Sequence, residues 1–179
     1  MKRRVYSWQW IGFVFTVIAG VLLHFLFDWT GKSVFVAPFS AVNESIWEHL
    51  KLLFFPMIIF AWVESRTIVQ DYADFWCIKL CGIIAGLVLI PVLYYTINGA
   101  LGVMPDWVNI TIFVIAAAVI FYIETKLFLA NRSVCRSFLP ARAILLLLAA
   151  TFVVLTFVSP QLPIFKDPQS GTYGYFETT

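Results

Sequence analysis

Residues 76–97 read WCIKLCGIIAGLVLIPVLYYTI, and this stretch decides the fold. It carries Lys79 near its start and then no charge through residue 97. As an α-helix it would rise about 33 Å at 1.5 Å per residue, enough for a hydrocarbon core about 30 Å thick. Transmembrane strands are shorter and alternate polar with apolar side chains, and residues 83–93, IIAGLVLIPVL, do not alternate. The segment reads as a membrane-spanning helix.

Four more stretches pass the same test, at residues 10–27, 45–63, 107–127 and 142–158. The expected fold is all-α, a polytopic transmembrane bundle of five helices over residues 1–158. An external tail rich in Pro, Gly and aromatics follows at 159–179. Composition agrees: 61% of the chain is hydrophobic, 12% is charged and the mean hydropathy is +0.90. A soluble domain is roughly 45–50% apolar and about 25% charged, so a soluble globule and a disordered chain are excluded. A net charge of +2 gives no phosphate-tracking surface. Nucleic acid is therefore not an expected partner; the lipid bilayer is, and the expected location is the cell membrane, crossed several times.

Orientation follows from the basic residues, which accumulate in cytoplasmic loops. Lys2, Arg3 and Arg4 precede helix 1, Arg66 and Lys79 flank the second connection, and Lys126, Arg132, Arg136 and Arg142 surround the fourth. If the helices alternate, only Lys32, Lys51 and Lys166 fall on the other side. The expectation is a cytoplasmic N-terminus and an external C-terminus. A cleaved signal peptide fits less well, because the first apolar run is long and ends in FLFDW rather than in small residues. Cys77, Cys81 and Cys135 would then lie on the reducing side, and no structural disulfide is expected. Gly82 and Gly86 have the G-x-x-x-G spacing of close helix contacts. Pro56 and Pro91 each remove a helical hydrogen bond.

Helix 2 has a depth problem. Its apolar run after Lys51, residues 52–63, rises only about 18 Å. To span, the turns carrying Glu44, Glu48, His49 and Lys51 must also enter the membrane, where ionisable groups usually face a bundle interior or a wet cavity. Glu44, Glu48 and Lys51 fall within one arc of the helical wheel, with Ser45 and His49 on its flank. Ser45 and Glu48 also have capping-box spacing, Asn43 is an alternative cap, and Glu48 could simply pair with Lys51. Helix 1 supplies a matching stripe, in which Gly12, Thr16, Gly20, His24 and Asp28 recur every fourth residue. Its rise puts His24 and Asp28 level with Glu48 and Glu44. Both histidines of the chain thus fall in one layer, joined by the ends of helices 3 and 4 with Tyr94, Asn98, Asp106 and Asn109.

The segment NESIWEHLKLLFFP, residues 43–56, resembles the signature of a family of small bacterial polytopic membrane proteins with no assigned activity. LHFLFDW upstream and PIFKDPQSGTYG in the tail resemble its other shared segments. The resemblance covers nearly the whole chain and brings no chemistry with it. Similarity to the membrane ceramidase-like hydrolases is weaker, since those bind zinc with three histidines and this chain has two.

The candidate ligand-binding residues are therefore His24, Asp28, Asn43, Glu44, Glu48, His49 and Lys51, converging in an outward-open pocket. The candidate metal set is His24, His49 and Glu48, with a divalent ion such as zinc as the cofactor. Three functions compete. The first is a module that binds or transports a cation or small ligand, with a homo-oligomer as the expected form for transport because the chain has no internal repeat. The second is a structural partner subunit of a membrane complex. The third is a zinc-dependent membrane hydrolase, for which two histidines and a carboxylate suffice in number.

Overall fold

A computed structural model describes residues 2–68, 71–102, 105–130, 134–135 and 138–175, with Asp106 and Phe138 described by their backbone only. Its five helices are α1 (Lys2–Trp29), α2 (Ile46–Ile68), α3 (Phe75–Leu101), α4 (Asp106–Leu129) and α5 (Phe138–Phe157). All five are long and apolar enough to cross a membrane. No strand occurs among the described residues, and the nearest thing to one is the isolated Lys166–Tyr173 bridge. Of the sequence expectations, Arg132, Arg136 and the Asp106 side chain lie outside the described residues.

The helices begin and end where local chemistry allows. α1 starts ahead of its apolar run because nothing in KRRVYSWQ breaks a helix, and Arg4 anchors that end on Asp71 and the Thr67 carbonyl. α3 stops at Gly102, which has φ 83° and returns its N–H to the Asn98 carbonyl at 3.0 Å, a conformation glycine adopts without a Cβ clash. Pro105 precedes the first turn of α4. Pro56 and Pro91 sit inside α2 and α3 as expected.

α2 is the central helix. Two thirds of its spanning window (67%) is buried, against 22% for α1 and for α5. α1 packs on α2 and α4, while α3 packs on α4 and α5. The core is largely aromatic at its centre, with Phe54, Phe60, Phe121 and Phe152 buried. α1 buries Val5, Gln9, Gly12, Thr16 and Gly20, the face defined by the four-residue stripe, and turns Trp10, Ile11, Val14 and Ile18 outward. Close approach needs the glycines: a Cβ on Gly20 would lie 2.5 Å from Phe113 Cζ and 2.9 Å from the Leu52 carbonyl oxygen.

The end of the bundle away from the N-terminus is closed by two irregular segments. Residues 30–45 fold back, with Ser40 Oγ accepting from Phe27 N–H and donating to the Leu23 carbonyl. The tail then crosses the same end. Its short 3-10 turn, Pro163–Phe165, sets Phe165 against Trp47 with ring centroids 4.6 Å apart. Tyr175 N–H donates to the Thr156 carbonyl at 2.8 Å, and Asn43 Nδ2 donates to the Gly174 carbonyl at 3.0 Å. The tail is anchored at Phe165, Gly174 and Tyr175.

One expectation is corrected. Cys77 and Cys135 are joined by a disulfide, where free thiols were expected, and Cys81 alone is free. Cys77 and Cys81 lie one turn apart on α3 and are not bonded to each other. The bonding partner instead comes from the segment after α4, which Val134 N–H ties to Asp74 Oδ2 at 2.8 Å. That contact brings the two Cα atoms to 6.1 Å, within the range a disulfide spans.

Candidate functional site

His24 from α1, Glu44 from the loop and His49 from the first turn of α2 meet at the closed end of the bundle. His24 Nε2 lies 3.3 Å from His49 Nε2. Glu44 Oε2 lies 3.7 Å from His24 Nε2 and 3.4 Å from His49 Nε2. These three form the group of metal-capable side chains among the described residues. His49 Nδ1 donates to the Ser45 carbonyl at 2.9 Å, which assigns its proton to Nδ1 and turns the Nε2 lone pair toward His24 and Glu44. The His24 ring beside Glu44 holds that carboxyl below the usual carboxylate range, against the opposing effect of burial.

A cavity of about 300 Å³ runs from this cluster down between the helices to Gly20, Leu52, Ile90 and Phe113. Its wall is mainly apolar. Tyr94, Asn109 and the tail residue Gln169 add polar groups near the cluster, and Asn109 Oδ1 is buried without a partner. Glu44 is the one carboxylate among the described lining residues.

The seven candidate ligand residues separate into groups. His24, Glu44 and His49 converge. Glu48, the expected third metal donor, stands apart: its Oε2 is 2.5 Å from Lys51 Nζ and accepts from Val42 N–H at 3.0 Å. Glu44 takes its place beside the imidazoles. Lys51 Nζ also donates to the Ala37 carbonyl and to Thr156 Oγ1, both at 2.9 Å. Asn43 caps the entry to α2, its Oδ1 accepting from Ser45 N–H at 2.9 Å. Asp28 is exposed, one turn beyond His24. The helical wheel could not separate Glu44 from Glu48, because Glu44 precedes the helix and its direction is set by an aperiodic loop.

A second polar cluster escaped the sequence reading. Lys79 Nζ lies 2.5 Å from Glu64 Oε2 and 2.6 Å from Glu124 Oε2, and Gln9 Nε2 donates to Glu64 Oε1 at 2.9 Å. All four side chains are buried. The available signal was the presence of Glu124 and Lys79 inside two apolar spans, where an ionisable residue calls for a named partner.

Five helices of membrane-spanning length, with ionisable clusters enclosed between them, define a multi-pass α-helical membrane protein. The chain belongs to the family of unknown function DUF6512, which it matches over residues 1–175. No curated protein and no solved structure matches it.

Proposed function

We propose that the protein is a membrane module that binds, or carries, a divalent transition-metal ion at His24, Glu44 and His49, with zinc as the best-suited ion. One observation carries this reading. Tetrahedral zinc with ligand bonds of about 2.0–2.1 Å separates its donors by about 3.3–3.4 Å, and the three donor atoms here stand 3.3, 3.4 and 3.7 Å apart. Two nitrogens and one oxygen suit zinc. The His49–Ser45 bond supplies the outer partner that orients a metal-ligating ring, and the three residues line a cavity. Hydrolysis is the weaker reading, since a separate general base is missing among the described lining residues.

The site belongs on the outer face of the cell membrane in this reading, with the N-terminus in the cytoplasm. Support comes from the basic residues. Lys79 and Lys51 are buried in ion pairs and do not count, which leaves eight at the N-terminal end against two. Carriage rather than binding would require a second copy of the chain.

The experiment is zinc titration of the purified protein, wild type against His24→Ala, His49→Ala and Glu48→Gln. The expected result is one ion per chain. Each histidine variant should weaken binding by more than the roughly 10–100-fold that loss of an outer partner costs, while Glu48→Gln keeps it. No binding by the wild type, or full binding by His49→Ala, overturns the reading and leaves the structural one.

A further inference from the structure

The Glu64–Lys79–Glu124 cluster poses a charge problem that the zinc site does not share. Glu64 and Glu124 are 0% exposed and Lys79 is 1% exposed. Around the ammonium stand the rings of Phe60, Phe75, Phe121 and Phe128, with centroids 5.6–5.9 Å away. Two carboxylates against one ammonium would leave a net negative charge in this apolar shell. Among the described residues no second cation is paired to it: α1 contributes the neutral Gln9, and Arg4 is engaged with Asp71 and the Thr67 carbonyl. Arg66 lies over Trp62, Lys126 over Tyr122, and Arg142 of α5 over Trp76. An uncompensated buried charge is costly, and such groups usually neutralise instead.

The hydrogen bonds say which carboxyl does so. Glu64 Oε1 accepts from the Gln9 amide, and its Oε2 lies 2.5 Å from the Lys79 ammonium, an ion contact without hydrogen-bond alignment. Glu124 has one accepting oxygen, Oε2, with Lys79 at 2.6 Å. Its Oε1 is buried without a donor, and so is Gln9 Oε1. A carboxylate oxygen with no incoming donor is a poor place for charge, and a proton on it removes that charge. Gly82 leaves the space for it, since a Cβ there would lie 2.6 Å from Glu124 Oε1.

We propose that this cluster is a proton-binding site: it holds one proton taken up from water, as an O–H on Glu124 Oε1, with Glu64 as the carboxylate paired to Lys79. The site lies about 22 Å along α2 from the His24–Glu44–His49 cluster, counting fifteen residues from His49 to Glu64. It stands or falls independently of metal binding.

Infrared spectroscopy of the protein in lipid nanodiscs tests it. At pH 7 the wild type should show the carbonyl stretch of a protonated carboxylic acid. Glu124→Gln should lose that band because it removes the acid. Glu64→Gln should lose it as well, because Glu124 then becomes the sole counter-ion of Lys79 and gives up its proton. Both variants should keep the wild-type melting temperature, each leaving one carboxylate for the lysine. The double variant, with none, should not. A wild-type spectrum without the band at pH 7 overturns the proposal, and so does a band that survives in both single variants.

Discussion

Lys51 illustrates how a side chain that the sequence offers as a ligand can instead hold the fold. Its ammonium has three protons, and three acceptors receive them: Glu48 Oε2, the Ala37 carbonyl and Thr156 Oγ1. The lysine thereby ties α2 to the loop before it and to α5. Thr156 in turn accepts the tail at Tyr175 through its carbonyl. The pair is fully enclosed, with Glu48 at 1% exposure, so losing one partner strands the other charge. Lys51→Met should cost about 3–5 kcal/mol, read as a lowered melting temperature in detergent. Adding Glu48→Gln to that variant should restore part of the loss, because the stranded charge is then removed. Equal stability of Lys51→Met and wild type would mean that the pair is dispensable. The sequence did indicate this alternative through the S-x-x-E spacing and the Glu48–Lys51 interval. It could not assign Glu44 and Glu48 to different partners, because residues 30–45 follow no helical or strand period that would fix their directions.

At the scale of elements, periodicity was informative and the connections were not. The five apolar runs became the five helices: α1 extends back to Lys2, where no breaker stands, and α5 to Phe138, with Pro140 in the first turn, where its missing N–H costs no helical bond. The four-residue stripe on helix 1 became its buried face, which placed His24 toward the interior. Gly20 tests that face directly. A side chain there meets Phe113 at one edge and the Leu52 backbone at the other; a ring can rotate aside, while a carbonyl within a central helix cannot. Gly20→Leu should therefore overpack the α1–α2–α4 contact at a cost of about 1–3 kcal/mol, seen as a lower melting temperature and a partly filled cavity. Tolerance of leucine would show that α1 can move away from α2. The Cys77–Cys135 pairing, by contrast, depends on how the segment after α4 returns to α3, and no spacing within one helix carries that information.

For the whole molecule, the remaining question is which way the bundle faces, and two features pull against each other. The basic residues argue for a cytoplasmic N-terminal end, since by sequence order eight of those outside the buried ion pairs fall on that side against two on the other. The Cys77–Cys135 disulfide joins the start of α3 to the segment between α4 and α5, at that same end. Disulfides persist in oxidising compartments and are rare in the cytosol. Charge bias acts while the chain is being inserted and sets the orientation of every helix, whereas one thiol pair forms or opens afterwards according to where it finds itself. The charge bias should therefore prevail. A reporter that works only outside the cytoplasm should be active when fused after Thr179. Silence of that reporter, with activity of a cytoplasmic one, would reverse the orientation. The disulfide would then lie in an oxidising compartment, and the His24–Glu44–His49 site would face the cytoplasm.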